Sequence, residues 1–341
     1  MTTGTRKVEK EKVCIVGSGN WGSAIARIAA LNTKKHSDIF AEQVTMYVYE
    51  EDINGRPLSA LINETHENVK YLPGIQLGSN VVAEPNLLKA IEGATALVVV
   101  LPHQFLPSVL KEIKGHVSPL ARAVSLIKGV DVDGDKITTF PAVISSTLDI
   151  PCSALSGANI ANEVAEDKIR VVQDVEGVCL CGGLKNVIAL AAGFSDGLGW
   201  GSNSKAAIMR IGLVELKDFC LEFFSSTRAQ TFLEESCGVA DIMTSCLSGR
   251  NRLIAEQMVK TGKGFRELEQ EKLNGQKLQG PQTALELHTF LIARGDNVRR
   301  PGGYPLLEAV WKICFDGMAP EKLIENLTCP ESGWYQAGSR L

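Results

Sequence analysis

Two lysines of this chain lie within two residues of a glycine in otherwise apolar sequence, where an ammonium group is a candidate for a functional role. Lys128 follows the apolar run AVSLI and precedes Gly129, which places it at the carboxyl end of a predicted strand, where open α/β folds bind ligands. Lys185 lies beside Asn186 within the apolar helical segment CGGLKNVIALAAGF. A lysine in such a helix either extends its ammonium group into solvent or is held in a cleft for a functional role, and the pattern by itself favours solvent.

A second group of residues is suited to binding a phosphate. The sequence GRNR (249–252) opens a predicted helix, so Arg250 and Asn251 combine side-chain donors with the unpaired N–H groups of a helix N-terminus. Asp241 and Ser245 lie four residues apart just before this motif and share one helical face. A basic turn at the protein surface is the alternative interpretation.

A glycine-rich loop near the N-terminus predicts a dinucleotide site. The strand KVCIVG (12–17) runs into G-S-G-N-W-G (17–22), and a predicted helix follows. In this context the first glycine permits a tight turn, the second lets a pyrophosphate approach the backbone, and the third lets the helix pack close to the strand. The helix N-terminus adds N–H groups and a partial positive charge. The predicted cofactor-binding residues of the loop are Gly17, Ser18, Gly19, Asn20, Trp21 and Gly22.

Two carboxylates, Glu50 and Glu51, follow the second predicted strand. A carboxylate at this position hydrogen-bonds a ribose 2′-hydroxyl and repels a 2′-phosphate, which favours NAD over NADP. The alternative is a pair of solvated acidic residues at the end of a strand.

The order of the predicted elements indicates the fold class. Short apolar runs alternate with helical patterns in the first half, which is typical of βαβ units, and from about Val178 the pattern is helical. Strands are predicted at 12–17, 44–50, 94–102, 121–129 and 151–157, and helices at 21–33, 55–67, 85–92, 104–113 and 135–147. We therefore predict an α/β protein with a Rossmann-type parallel-sheet nucleotide domain (1–174), an all-helical substrate domain (175–330) and an exposed C-terminal tail (331–341).

Composition excludes several other classes of protein. The 341 residues include 35 Lys and Arg against 39 Asp and Glu, and a net charge of −4 argues against nucleic-acid binding. Apolar stretches such as ATALVVVL are shorter than a membrane span, and the polar N-terminus lacks the core of a secretory signal. Nine scattered cysteines and five histidines show no metal-ligand spacing, so we predict reduced thiols and no metal.

Seven segments resemble, in order and over most of the chain, the motifs of NAD-dependent glycerol-3-phosphate dehydrogenase of the eukaryotic cytosolic type. They are VGSGNWGSAIA (16–26), LPHQF (101–105), SLIKG (125–129), SGANIANEVA (156–165), CGGLKNVIALAAGFSDGLG (181–199), ESCGVADIMTSCLSGRNR (235–252) and LNGQKLQGP (273–281). The resemblance implies interconversion of sn-glycerol 3-phosphate and dihydroxyacetone phosphate, NAD as cofactor, a homodimer and a cytoplasmic location.

The same resemblance implies roles for individual residues. Lys185 is the implied catalytic acid/base and Lys128 assists at the substrate, while Asp241 and Asn186 orient Lys185. The implied substrate-binding residues are Lys128, Arg250, Asn251 and Ser245, the last replacing the family's usual Thr. Besides the glycine loop, the implied cofactor-binding residues are Tyr49, Phe105, Ala161, Arg250, Lys277 and Gln279, with Lys277 on a loop that closes over the cofactor.

The chain departs from the family pattern between residues 168 and 169, where one strand–helix unit is missing. A catalytically impaired, NAD-binding regulatory protein is therefore an alternative, and a related dehydrogenase with another hydroxy-phosphate or hydroxy-acid substrate is a second one. The chain ends in Ser339-Arg340-Leu341, a conservative variant of the S-K-L peroxisomal address, which predicts recognition by the peroxisomal import receptor and a second location in peroxisomes. An accidental match of three residues is the alternative.

Overall fold

The computed structural model describes residues 10–157, 173–273, 277–295, 298, 300, 302–325 and 327. These residues form two compact units. The first contains residues 10–127 and 140–155, and the second contains residues 128–139, 156–157 and those from 173 onward. Residues 128–139 were predicted to belong to the nucleotide domain but pack with the second unit.

The secondary structure follows the predicted change from strands to helices. In chain order the described strands are β1 (Glu11–Val16), β2 (Phe40–Tyr47), β3 (Asp52–Ile53), β4 (Arg56–Pro57), β5 (Val81–Glu84), β6 (Ala96–Val99), β7 (Arg122–Ser125), β8 (Val130–Asp133), β9 (Lys136–Thr139) and β10 (Cys152–Ala154). The described helices are α1 (Asn20–Lys35), α2 (Leu58–Thr65), α3 (Leu87–Ala90), α4 (Leu106–Ile113), α5 (Phe140–Leu148), α6 (Val175–Gly197), α7 (Ser202–Phe223), α8 (Ala229–Glu234), α9 (Asp241–Ser248), α10 (Arg250–Thr261), α11 (Phe265–Leu273), α12 (Gln279–Arg294) and α13 (Pro305–Phe315).

The first unit is built on a parallel six-stranded sheet of order β10-β7-β6-β1-β2-β5. Successive residues of β1 point into different cores, since Cys14 and Val16 join one apolar cluster and Ile15 joins the other. Both faces of the sheet are therefore covered. Because β1 lies between β6 and β2, the chain reverses its direction of strand addition at β1, and such a point opens a crevice at the carboxyl ends of the strands.

The predicted strands correspond to β1, β2, β6, β7 and β10, whereas β5 was not predicted. The helix predicted over 135–147 is wrong in its first part, because Lys136–Thr139 is β9 and α5 begins at Phe140. β8 and β9 pair as an antiparallel hairpin across a two-residue turn. Gly134 in that turn has φ +59°, a conformation that favours glycine. The second unit is therefore helix-rich rather than all-helical.

Helix α6 forms the centre of the second unit. Every residue from Gly177 to Ser195 is buried, and α7, α9, α10 and α12 pack around the helix. By length and composition α6 is apolar enough to cross a membrane, so the prediction that no apolar stretch reaches such a length is wrong. However, 94% of the apolar window is buried inside the protein, as in a core helix of a globular fold.

The cysteines of the described residues are free thiols. Cys179 and Cys181 were predicted to serve packing, and both are buried in α6. A hydrogen bond with Cys237 raises the pKa of Cys181, and burial raises it further. The Cys181 thiol therefore stays protonated, and both cysteines contribute to the core.

Candidate active site

The glycine loop turns sharply between β1 and α1. Gly17 has φ +124°, and a Cβ at this residue would overlap the carbonyl oxygen of Val100. A Cβ on Gly22 would overlap the carbonyl oxygen of Gly17, the last residue of the predicted strand, so this glycine allows the start of α1 to pack closely against the end of that strand. At Gly19, by contrast, no described atom lies within 4 Å of a Cβ position.

Helix α1 begins at Asn20 with Gly19 as its N-cap, and no side chain in the described ranges caps it. The first N–H groups of the helix are thus available beside an open backbone position. This is the arrangement that binds a pyrophosphate, so the loop fits the predicted dinucleotide.

A buried asparagine that sequence reasoning missed holds the loop in place. Asn68 is fully buried, and its Nδ2 donates to the Ser18 carbonyl oxygen (2.8 Å) and to Ser23 Oγ (2.9 Å). On the loop itself, Asn20 Nδ2 donates to the Tyr71 carbonyl oxygen (2.9 Å). Because Asn68 lies about 50 residues from the loop in sequence, no local pattern identifies it.

Two exposed aromatic side chains follow the strands on either side of β1. Tyr49 comes after β2 and is 74% exposed, and Phe105 comes after β6 and is 55% exposed. Parallel strands end at the same edge of a sheet, so both residues lie at the edge that carries the glycine loop. Their exposed rings are suited to covering a flat ligand at that edge.

The two acidic residues after β2 are engaged with the first unit's own side chains. Glu50 accepts hydrogen bonds from the backbone N–H of Ser59 (3.0 Å) and from its hydroxyl. Glu51 pairs with Lys70 and accepts a hydrogen bond from Tyr71 Oη (2.7 Å). Their predicted contact with a ribose stays a prediction.

Lys185 and Asp241 form a buried ion pair in the second unit. Lys185 lies in the middle of α6 and is 5% exposed, while Asp241 opens α9 and is 3% exposed. Lys185 Nζ contacts Asp241 Oδ1, and Asp241 Oδ2 is buried without a hydrogen-bond partner among the described residues. The interpretation that Lys185 extends into solvent is therefore wrong, because the ammonium group has a buried partner 56 positions away in the chain.

The side chain of Lys128 lies beside this ion pair because two glycines, Gly129 and Gly183, approach each other closely. A Cβ on Gly183 of α6 would lie 2.6 Å from the backbone nitrogen of Gly129, so the loop after β7 rests directly on α6. The Lys128 side chain thereby comes within hydrogen-bonding contact of Lys185. Burial lowers the pKa of Lys128 to about 8, and the positive charge of Lys185 adds to this effect.

Two further charges act on Lys128 within the same cluster. Asp241 opposes the lowering of the Lys128 pKa, while Arg250 contributes to it. The structure therefore brings together Lys128, Lys185, Asp241 and Arg250, which the sequence placed in three separate motifs.

The predicted asparagines lie beside this cluster. Asn251 Nδ2 donates to Asn186 Oδ1 (3.1 Å), and Asn251 Oδ1 accepts from the Gly280 N–H (2.9 Å). Helix α10 begins at Arg250 after Gly249, and no described side chain caps it. Ser245 is buried one turn after Asp241 in α9.

The remaining predicted cofactor-binding residues are Lys277, Gln279 and Ala161. Lys277 Nζ pairs with Glu269 Oε2 (3.0 Å), and the buried Glu269 also accepts from the Leu278 N–H (2.9 Å). Gln279 is the first residue of α12. Ala161 lies outside the described residues. Sequence reasoning gave no role to Gly129, Gly183 or Gly280, although each stands within four residues of a predicted site residue, which is the signal that identifies them.

Comparison with known proteins decides the family. A model of the N-terminal part of NAD-dependent glycerol-3-phosphate dehydrogenase matches residues 12–173, and a model of its C-terminal part matches residues 174–325. This chain belongs to the NAD-dependent glycerol-3-phosphate dehydrogenase family.

Individual members of the family are similar over most of their length. The cytoplasmic NAD-dependent glycerol-3-phosphate dehydrogenase of Mus musculus is 47% identical over 344 residues, covering 93% of this chain and 97% of the relative. The Homo sapiens enzyme of the same name is 46% identical with the same coverage. The solved structure of the Saccharomyces cerevisiae enzyme has a TM-score of 0.84 at 40% identity, covering 93% of this chain and 99% of that chain.

Proposed function

We propose that this chain is an NAD-dependent oxidoreductase that interconverts sn-glycerol 3-phosphate and dihydroxyacetone phosphate. The observation that carries the proposal is the buried pair of Lys185 and Asp241, with Lys128 against it, in a chain of this family. A lysine held in this way has one evident use in the family's reaction, which is to exchange a proton with the oxygen of the substrate.

Lys185 is the proposed catalytic acid and base. Reduction of dihydroxyacetone phosphate requires a proton on the carbonyl oxygen, and the ammonium group of Lys185 donates it and stabilises the developing alkoxide. Asp241 holds the ammonium group in place within the core. When NADH is bound, it supplies the hydride that the carbonyl carbon accepts.

The start of α10 is the proposed site of the substrate phosphate. Arg250 offers a fork of donors, Asn251 offers an amide N–H, and the helix N-terminus favours negative charge. Lys128 adds a cation whose charge depends on pH near 8. Ser245 supplies the hydroxyl group that the family's threonine supplies elsewhere.

The cofactor-binding residues are proposals on the same basis. The loop Gly17–Gly22 holds the pyrophosphate, and the exposed rings of Tyr49 and Phe105 cover the rest of the nucleotide. The family resemblance adds further cofactor contacts from Ala161, Arg250, Lys277 and Gln279.

The direct test is oxidation of NADH by the purified chain in the presence of dihydroxyacetone phosphate, followed by the loss of NADH absorbance. Dihydroxyacetone, which lacks the phosphate, is the matched control substrate. Turnover that requires the phosphate supports the proposal. Equal rates with both substrates would indicate a dehydrogenase for another hydroxy compound, and binding of NADH without turnover would indicate the regulatory alternative, which the comparisons do not support.

We infer that the first domain, residues 1–174, lacks one strand–helix unit between residues 168 and 169, a position outside the described residues. The alignment with the mouse relative spans 344 positions but includes only 93% of this 341-residue chain, or about 317 residues, so about 27 positions have no counterpart here. That length is sufficient for a strand and a helix. If the shortened domain folds, we expect cooperative thermal unfolding with a melting temperature that NADH raises. Non-cooperative unfolding would show that the shortened domain does not fold.

Assembly and location complete the proposal. We infer a homodimer, as in the family that the sequence resembles, and sedimentation equilibrium at twice the mass of the chain is the expected result. We infer a cytoplasmic enzyme with a second population in peroxisomes directed by Ser339-Arg340-Leu341. A fluorescent protein fused to the N-terminus, which leaves this tail exposed, is expected in both compartments, and deletion of the three residues should leave it in the cytoplasm alone.

A further inference from the structure

A chain of hydrogen bonds joins the start of α12 to α10 and α6. The backbone N–H of Gly280 donates to Asn251 Oδ1 (2.9 Å), and Asn251 Nδ2 donates to Asn186 Oδ1 (3.1 Å). Asn186 Nδ2 in turn donates to the carbonyl oxygen of Gly183 (3.3 Å). Gly280 and Asn186 are buried and Asn251 is half-buried, so these bonds are largely protected from water.

The direction of this chain is set at Gly280. A side-chain amide can exchange the positions of its oxygen and nitrogen by turning over, with almost no change in shape. A backbone N–H can only donate, so Asn251 must present its oxygen to Gly280 and its nitrogen to Asn186. Asn186 must then present its oxygen to Asn251, which directs its NH₂ group towards Gly183.

With the two amides in this orientation, N–H donors rather than carbonyl acceptors are left to contact a ligand. Each NH₂ group carries two hydrogens, and the chain uses one hydrogen of Asn251 and one of Asn186. The second hydrogen of each group has no partner among the described residues, which suits an anionic, oxygen-rich substrate. Reversed amides would present carbonyl oxygens instead and would repel a phosphate.

The same contact leaves no space for a side chain at residue 280. A Cβ there would lie 2.6 Å from Asn251 Oδ1, 2.9 Å from the Asn186 carbonyl oxygen and 2.9 Å from Leu190 Cδ1. The next residue is Pro281, which has no N–H and cannot replace the donor.

We propose that Gly280 is a positioning residue for substrate binding, because its N–H fixes the amide orientation of Asn251 and, through it, that of Asn186. This inference rests on the proposed function, in which Asn251 holds the substrate phosphate and Asn186 stands beside Lys185. Gly280 itself contacts neither the substrate nor the reacting atoms. It acts by determining which atoms of the two asparagines face them.

The first experiment compares Gly280→Ala with Gly264→Ala in the full-length protein. Gly264 precedes α11, and no described atom lies within 4 Å of its Cβ position, so it is a matched control. We expect Gly280→Ala to raise the KM for dihydroxyacetone phosphate by about 10- to 100-fold, since a displaced binding group has effects of this order. The KM for NADH is expected to stay close to that of Gly264→Ala, whereas the melting temperature should fall, because the added Cβ is crowded by Asn251, Asn186 and Leu190.

The second experiment is a double-mutant cycle with Asn251→Ala. If Gly280 acts through Asn251, then Gly280→Ala changes the KM for the phosphorylated substrate less than about twofold in the Asn251→Ala background. If the KM increases of the two single variants multiply in the double variant, the proposal is overturned. If Gly280→Ala fails to fold while the double variant folds, the crowding acts through Asn251, and a KM for dihydroxyacetone phosphate in the double variant within about twofold of that of Asn251→Ala supports the proposal. If neither folds, the crowding does not act through Asn251 and the proposal fails.

Turnover by the wild-type protein distinguishes failure of the proposed function from failure of the inference about Gly280. Absence of turnover in the wild type removes the proposed function, and this inference with it. An active wild type with an unchanged Gly280→Ala variant removes this inference alone.

Discussion

Gly183 of α6 and Gly129 of the loop after β7 approach so closely that a Cβ on Gly183 would lie 2.6 Å from the Gly129 nitrogen. This approach places Lys128 against Lys185, and no larger residue at position 183 permits it. Elsewhere in a helix, replacing glycine with alanine stabilises the protein by about 1 kcal/mol. A loss of stability in Gly183→Ala would therefore indicate that the close approach outweighs helix propensity.

Gly183→Ala is expected to lower kcat/KM by about 10- to 100-fold, because displacement of the Lys128 loop separates the two lysines. It should also lower the melting temperature. Steady-state kinetics and thermal unfolding check both effects, with Gly201→Ala as the control because no described atom lies within 4 Å of its Cβ position. A raised melting temperature with unchanged kinetics would show that the close approach has no functional role.

Lys185→Met is expected to abolish turnover while leaving NADH binding intact. Loss of the general acid costs about 10²- to 10⁴-fold in kcat. Removal of one partner of a buried ion pair also costs about 3–5 kcal/mol of stability, because it leaves Asp241 as an unpaired buried charge. Turnover, fluorescence titration with NADH and chemical denaturation measure the three quantities.

The double variant Lys185→Met with Asp241→Asn is the control for the preceding prediction. Without the buried carboxylate, part of the stability should return, but turnover should not. If Lys185→Met weakens NADH binding as much as it lowers turnover, the assigned role of Lys185 is wrong.

Substrate binding is expected to weaken above about pH 8. Burial first, and the charge of Lys185 second, lower the pKa of Lys128 to about 8, so the ammonium group loses its proton above that pH. The KM for dihydroxyacetone phosphate should therefore rise between about pH 8 and pH 9.5, and Lys128→Arg should flatten the profile because arginine stays charged. A wild-type profile that is flat over this range would contradict the prediction.

The same residue predicts how stability changes at alkaline pH. The folded pKa of Lys128, about 8, lies below the ordinary value of 10.5, so the unfolded chain binds more protons between these two values. The contribution of Lys128 to the free energy of unfolding is therefore lost as pH falls through about 8 and is fully present above 10.5. Chemical denaturation at several pH values should show that the free energy of unfolding rises less steeply with pH for Lys128→Met than for the wild type.

The two glycines of the nucleotide loop are expected to respond differently to alanine. Gly17→Ala should destabilise the first unit, because its φ is +124° and a Cβ overlaps the Val100 carbonyl oxygen. Gly19→Ala should leave the melt unchanged, since the space around it is open in the described structure. Its methyl group nevertheless occupies the position where a pyrophosphate approaches, so the Kd for NADH should rise by at least about tenfold. Unaltered NADH binding by Gly19→Ala would remove the loop from the cofactor site.

Local patterns were sufficient to predict the elements of the first unit that position the nucleotide loop. KVCIVG followed by three spaced glycines predicts β1, the turn and α1, because each step depends on residues within a few positions of one another. The β8–β9 hairpin was missed although Gly134-Asp135 between two short alternating runs is a hairpin signal. Strand β5 is four residues long and has no periodic pattern to distinguish it.

Contacts between distant segments could not be predicted from local patterns. The surroundings of Lys185 in the sequence favour an ammonium group in solvent, and only the fold supplies Asp241 as a buried partner. Asn68 and Gly280 illustrate the same limit, since each acts on a loop or side chain at least 29 positions away. The family resemblance implied the candidate site residues, but the direction of the amide chain follows only from the three-dimensional structure.

The complete burial of α6 from Gly177 to Ser195 also governs how the backbone around Lys185 exchanges with solvent. A fully enclosed helix at the centre of a unit does not fray locally, so its amide hydrogens exchange with deuterium only when the whole unit opens. The exchange rate at Lys185 should then report the global free energy of unfolding, becoming about tenfold faster for every 1.4 kcal/mol that a substitution removes. Lys185, the proposed proton-transferring residue, is therefore expected to be among the slowest to exchange its own backbone hydrogen.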